Sequence, residues 1–372
     1  MALKAVHVSE VPNLDHVPDL AVAGSRGGGA LRGSASPAKL LVIGHRGKGM
    51  NLLSSPDPRM AAVKENSVAS FNDAGRFGVD FVEFDVQVTK DNCPIIFHDN
   101  FIFTEENGKV LDRRVTDLCL EEFLAYGPQR EPERVGKPLL RKLKDGRILN
   151  WNVEIDSPFC TLEEAFQNVS SHLGFNIELK FDDNIVYQEE ELTRILQVIL
   201  QVVFQHAGDR AIIFSSFQPD AARLMRKLQN EFPVYFLTNG GTEIYTDARR
   251  NSLEEAIKHC LTNNLQGVVS ESRAIFRNPS AIPKIKESNL VLLTYGQLNN
   301  VPEAVYMQHL MGINGVIVDL VEKITEAVSD FMDVDGGEEK FGSLVREGIE
   351  EKRPRFSQRE LSFLLKLIPE LA

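Results

Sequence analysis

Two histidines in this chain close short apolar runs: His45 ends "LLVIGH", with Arg46 directly after it, and His98 ends "PIIFH". A third run, "DFVEFD", carries Glu83 and Asp85 two residues apart, so on an extended strand both side chains point to one face, about 7 Å from each other. "NIELK" repeats that spacing with Glu178 and Lys180. Three carboxylates with no cysteine among them form a hard, oxygen-rich donor set, which suits Mg2+ or Ca2+ rather than zinc. Carboxylates gathered this closely repel one another unless a cation neutralises them. Both histidines are then left for proton transfer, one as general acid and one as general base. Arg46 and Lys180 add positive charge, and arginine can grip phosphate oxygens with two prongs. The chemistry implied is metal-assisted phosphoryl transfer.

Taken singly, each residue has a plainer explanation. A histidine at a strand end can be structural, the Glu-Phe-Asp pair can face solvent, Glu178 and Lys180 can form one ordinary ion pair, and Glu65 can favour a helix dipole. Convergence on one end of one fold would decide the matter, and that depends on the elements that carry these residues.

From residue 39 onward eight apolar runs recur: "LLVIGH", "DFVEFD", "FNIELK", "AIIFSSF", "PVYFLT", "GVVSES", "LVLLTYG" and "GVIVD". Helical patterns lie between most of them, among them "SVASFNDAGRFG", "TLEEAFQNVSS", "EEELTRILQVILQVVFQHAG", "PDAARLMRKLQNE" and "SLEEAIKHCLTNN", several opened by Ser, Thr or Asp caps. Alternation of this kind implies a parallel sheet, and eight nearly continuous apolar strands imply an α/β chain closed as a (β/α)8 TIM barrel. Barrel enzymes carry their reactive groups at the carboxyl ends of the strands, which is where these residues fall.

One run breaks the alternation. "PIIFHD" follows the second strand after only "KDNC", too short a link for a parallel crossover, so an antiparallel hairpin is expected with its turn at Asp91-Asn92. A two-residue loop there would set Asp85 opposite His98. Polar, turn-rich residues 101 to about 158 then read as an insertion over the barrel mouth, which sets the barrel domain at 39–325. Residues 1–38 read as a flexible arm or a cleavable transit peptide, and 326–372 as a charged linker leading to an amphipathic helix capped by Ser357 and Glu360.

Composition narrows the function further. Acidic residues outnumber basic ones by 53 to 41, giving a net charge of -12, so a nucleic-acid-binding surface is not expected and any phosphate site must be local. The four cysteines, Cys93, Cys119, Cys160 and Cys260, are too scattered for a zinc knuckle or a disulfide framework. No run of eighteen apolar residues appears, so no membrane span is expected. The sequence carries no signal of oligomeric state.

In order and spacing, "GHRGKGMN", "ENSVASF", "GVDFVEFDVQVTKDNCPIIFHD" and "NIELK" resemble the glycerophosphodiester phosphodiesterases, over about residues 40 to 322. The opening "MALKAVHVSEVP" and the segment "LLTYGQLNN" are similar to plant plastid-type members, which implies a chloroplast location. The resemblance implies a TIM barrel with a small inserted domain. It also implies hydrolysis of diesters such as glycerophosphocholine or glycerophosphoethanolamine to sn-glycerol 3-phosphate and an alcohol. It assigns a divalent metal to Glu83, Asp85 and Glu178, acid and base to His45 and His98, phosphate to Arg46, and pocket lining to Glu65 and Lys180. Three departures stand out: the 17 residues Lys48 to Lys64 before Glu65, Asp91-Asn92 in place of Asp-Gly, and the region of Tyr295 where the family often has tryptophan. Two other readings are a phospholipase acting on intact lipid and a barrel that binds without catalysis. A zinc hydrolase would need His-x-His on the first strand, where this chain has His45-Arg46-Gly47.

Overall fold

The structure is a computed structural model that describes residues 39–336, apart from residue 132. The expected N-terminal arm and the final helix around Ser357 and Glu360 lie outside the described residues.

Strand β1 (Leu41–Gly44) leads through helix α1 (Val68–Arg76) to β2 (Phe81–Val88), which turns back as β3 (Pro94–Ile96). An inserted segment follows, with β4 (Phe101–Glu106), β5 (Lys109–Arg114), the short helix α2 (Leu120–Leu124), β6 (Leu140–Lys142) and β7 (Ile148–Asn150). Alternation resumes with α3 (Leu162–Asn168), β8 (Gly174–Leu179), α4 (Glu189–His206), β9 (Ile212–Ser216), α5 (Pro219–Leu228) and β10 (Val234–Thr238). It finishes with α6 (Leu253–Asn263), β11 (Gly267–Glu271), α7 (Ser272–Arg277), α8 (Ala281–Glu287), β12 (Val291–Tyr295), α9 (Pro302–Met311), β13 (Gly315–Val318) and α10 (Val321–Gly336).

Eight parallel strands pair in the ring β1-β2-β8-β9-β10-β11-β12-β13, and β13 returns to β1. The (β/α)8 barrel is therefore closed, and all eight apolar runs are its strands. Their near-continuous apolar character follows from burial on both faces. Outward side chains such as Val82, Phe84, Val86, Phe175 and Ile177 pack beneath the helices. Inward ones, including Ile43, Ile213, Leu237, Val269, Leu293 and Ile317, fill the barrel axis. Helix starts follow the expected caps: Ser67 accepts from Ser70 N, Ser252 from Glu255 N, and Thr161 with Glu164 forms a capping box.

The hairpin forms with a different register. Val88 pairs with Pro94 and Val86 with Ile96, so the loop gains a residue, with Thr89 and Cys93 closing it and Asn92 left-handed at φ 61°. Continued past Ile96, this register sets Phe97, not His98, opposite Asp85. The strand ends at Ile96, however, and the irregular backbone beyond it carries His98 round to the barrel mouth. A one-residue slip reverses faces only while the chain stays extended.

Strands β4 to β7 form a separate antiparallel sheet in the order β5-β4-β6-β7. Its core, which includes Ile102, Phe123, Tyr126 and Trp151, also takes in Ile95 and Phe97 from the hairpin, so the insertion is anchored to β2 through β3. The stretch expected to be linker from 326 begins as helix, because α10 continues to Gly336. Among the described residues no helix is long and apolar enough to cross a membrane.

Candidate active site

Strands β2 and β8 are neighbours, and their register sets Asp85 beside Glu178 and Glu83 beside Asn176. With Glu83 two residues before Asp85, the three carboxylates point inward together, and one oxygen from each lies within 4.8 Å of the others. All three are buried. Burial and the neighbouring Asp85 push Glu83 above the usual carboxylate range, and burial likewise raises Glu178 against the pull of Lys180. Asp85 is held low despite its burial, because His98, Lys180 and Arg46 surround it with positive charge. Lys180 Nζ lies 3.1 Å from Glu178 and 3.4 Å from Asp85. Glu83 faces no lysine or arginine side chain at that distance; it accepts from Arg46 N at 3.0 Å and lies 3.9 Å from His45 Nε2. An oxygen-only trio that burial resists ionising is a donor set a hard divalent cation would satisfy.

His45 follows β1 directly, and ring closure sets it beside the residue after β13. Its Nδ1 donates to Asp319 at 2.7 Å. Burial works against the charged imidazole, yet the Asp319 carboxylate outweighs it and raises the His45 pKa. His98 Nδ1 donates to Asp99 at 2.7 Å, but burial together with Arg46 and Lys180 drives His98 down to about 4. In both rings the held Nδ1 leaves Nε2 as the proton-exchange atom.

Arg46 adopts the left-handed region at φ 49°, uncommon for a residue with a side chain. The conformation is held by Arg46 N on Glu83 and by Asn66 N and Ser70 Oγ, which donate to Arg46 O. Its guanidinium reaches Glu65 at 2.7 Å and Asp85 at 3.5 Å, while Nε is buried without a hydrogen-bond partner. Glu65 is not in a helix; it precedes the Ser67 cap and is gripped by Arg141 through two hydrogen bonds of 2.9 Å. Arg141 comes from β6 and also lies 3.4 Å from Asp99, so the insertion ties Glu65 to the partner of His98.

Burial opposes the charge on Glu65, but Arg141 and Arg46 prevail and hold its pKa at about 2. Because that folded value lies below the ordinary one, its stabilisation is complete above about pH 4.5 and is lost as pH falls toward 2, on the order of 3 kcal/mol in all. Glu65→Gln is therefore expected to lower the melting temperature at neutral pH, with the gap to the parent closing between pH 4.5 and 2. Parallel melting curves across that range would refute the coupling.

Packing requires the glycines after Arg46. Gly47 has φ 92°, and a Cβ there would come 2.4 Å from Ser70 Oγ and 2.9 Å from Phe71; at Gly49, φ 125°, it would meet Asp319 O at 2.3 Å. Gly47→Ala is expected to lower the melting temperature by roughly 5 °C, strain and overlap together. An unchanged thermal transition would reject this account.

All eight expected residues, His45, Arg46, Glu65, Glu83, Asp85, His98, Glu178 and Lys180, thus gather at the carboxyl end of the barrel. Sequence reasoning missed Asp99, Asp319, Arg141 and Asn66, whose Nδ2 donates to Asp85 at 2.9 Å. Asp319 directly follows the eighth strand and Asp99 adjoins His98, which were usable signals; Arg141 and Asn66 carried none. A cavity of about 560 Å³ opens beside the cluster, between His98, Glu178 and Lys180 on one side and the insertion on the other. On the barrel wall the Tyr295 ring meets Phe217 edge-on at 5.9 Å, and its hydroxyl donates to Asn239.

The chain is similar to proteins of known family. Residues 45–323 match the model of the glycerophosphoryl diester phosphodiesterase family. The chain is 60% identical to the chloroplastic glycerophosphodiester phosphodiesterase GDPD1 of Arabidopsis thaliana, over all of this chain and 99% of that one. It is 57% identical to GDPD2 of the same plant, with the same coverage. Its fold resembles an Oleispira antarctica phosphodiesterase solved with the product sn-glycerol-3-phosphate, at TM-score 0.54 and 22% identity over 78% of this chain and 97% of that one. Barrel, insertion and matched span agree, and the chain belongs to the glycerophosphoryl diester phosphodiesterase family.

Proposed function

We propose that the chain carries out metal-dependent hydrolysis of small glycerophosphodiesters, such as glycerophosphocholine and glycerophosphoethanolamine, to sn-glycerol 3-phosphate and the free alcohol. The observation that carries this reading is the buried trio Glu83, Asp85 and Glu178, within 4.8 Å, beside two imidazoles each held by a carboxylate. Membership of the family and the names of its plant relatives support it.

Glu83, Asp85 and Glu178 would hold the cation, with Mg2+ the first choice and Ca2+ the second. Such an ion supplies positive charge to phosphate oxygen and acidity to an adjacent hydroxyl. Arg46 and Lys180 balance charge accumulating on the phosphate, with Glu65 fixing the Arg46 guanidinium. One imidazole takes a proton at Nε2 from the attacking hydroxyl, and the other gives one to the departing alkoxide. The chloroplastic designation of the 60% identical relative supports a plastid location.

The test is release of sn-glycerol 3-phosphate by the purified chain with Mg2+ present, from soluble diesters and from phosphatidylcholine vesicles in parallel. Product from the soluble diesters is expected. Turnover of vesicles alone would transfer the reading to a phospholipase, and turnover of neither would reject it.

A further inference from the structure

The chemistry at phosphorus leaves open which alcohol the enzyme releases, and the far wall of the cavity bears on that choice. A choline-type alcohol is recognised by aromatic faces and by carboxylates with no other partner. This cavity has rings and acids, but the protein's own cations already engage the acids and every lining ring of Phe or Tyr except Phe181. Arg114 lies over Phe101 at 4.5 Å, and Arg250 over Tyr245 at 3.6 Å. The acids are paired as well: Asp182 with Arg114 at 2.5 Å, Asp183 with Arg250 at 2.6 Å, Asp99 with Arg141 at 3.4 Å and Glu178 with Lys180 at 3.1 Å.

Two lining cations have no acid partner, although Lys142 Nζ lies 6.0 Å from the centre of the Phe103 ring. Lys142 and Lys144, exposed on β6 and the turn after it, form no ion pair with any described acid. Both line the cavity, Lys142 at the end of β6 and Lys144 in the turn that follows. Arg250, buried and paired with Asp183, keeps an Nε that has no hydrogen-bond partner. The lining holds as many acids as cations, but each acid is paired, so Lys142 and Lys144 are the surplus charge at this mouth, and a cleft focuses such a field on an approaching anion.

We infer that the cavity beneath the β6 turn is an alcohol subsite selecting glycerophosphodiesters whose alcohol carries a second anionic group, a phosphate or carboxylate, over those with an ammonium group. The inference rests on the proposed hydrolysis and names its substrate class. Lys142 and Lys144 supply the attraction, and the resident arginines leave the rings little to offer a cationic alcohol.

The experiment compares kcat/KM for glycerophosphocholine, glycerophosphoglycerol and a glycerophosphoinositol bearing a ring phosphate, at low and at high salt. The phosphorylated inositol ester is expected to exceed the choline ester by about 10-fold at low salt, with glycerophosphoglycerol between them and the gap shrinking as salt rises. Lys142→Gln/Lys144→Gln, checked for folding by circular dichroism, should bring the ratio near one, and Lys142→Glu/Lys144→Glu should invert it. A choline ester that equals or beats the others in the parent, or a ratio unmoved by both double variants, overturns the inference while leaving the hydrolase reading intact. Turnover of none of the three removes both.

Discussion

His98→Ala and His45→Ala are each expected to lower turnover of a glycerophosphodiester by about 10²- to 10⁴-fold, the range that positioned proton transfer contributes. The fold should survive either change. Both rings are partly exposed at the barrel mouth rather than packed in the core, the His45 side chain 24% and the His98 side chain 30% accessible. Their carboxylate partners also keep other bonds. Asp319 still accepts from Met50 N at 3.0 Å and Asn300 Nδ2 at 2.9 Å, and Asp99 still lies 3.4 Å from Arg141. The measurement is kcat together with the melting temperature. A variant that melts like the parent and turns over near the parental rate would remove that histidine from the acid-base roles.

The second large effect is expected at the carboxylate trio. Asp85 lies 3.5 Å from Arg46 Nε and 3.4 Å from Lys180 Nζ, and Asn66 donates to it. Asp85→Asn keeps the shape but removes one of the three carboxylates proposed to hold the cation. It should abolish measurable Mg2+ binding by calorimetry and reduce turnover on the order of 10³-fold, about 4 kcal/mol of transition-state stabilisation. Chelation of the parent should match that loss, with Mg2+ or Ca2+ restoring turnover better than Zn2+, since the donors are all hard oxygens. Activity that persists in EDTA would sink the metal reading and leave the three acids as a structural cluster.

Much of the scaffold was legible because strand and helix patterns are local. Eight apolar runs separated by helical periods sufficed for the barrel, and a spacing of two sufficed to set Glu83 and Asp85 on one face. The hairpin between β2 and β3 was legible in kind but not in register, because one added loop residue costs little and leaves no mark in the apolar pattern. The need for glycine after Arg46 was not legible at all. The neighbours of Gly47 and Gly49 are Ser70 and Phe71 of α1 and the backbone of Asp319, contacts that exist only once α1 has docked and the ring has closed.

The sequence by itself determined which residues end which strands, and with that the set His45, Glu83, Asp85 and Glu178 at one rim, since side-chain alternation and strand direction follow from the chain alone. Only the tertiary structure decided the partners. Closure of the barrel brings Asp319 to His45 across 274 positions, and the insertion folds back to deliver Arg141 to Glu65 across 76. Such pairings depend on how separate elements pack, and packing is a property of the whole molecule that no local pattern encodes.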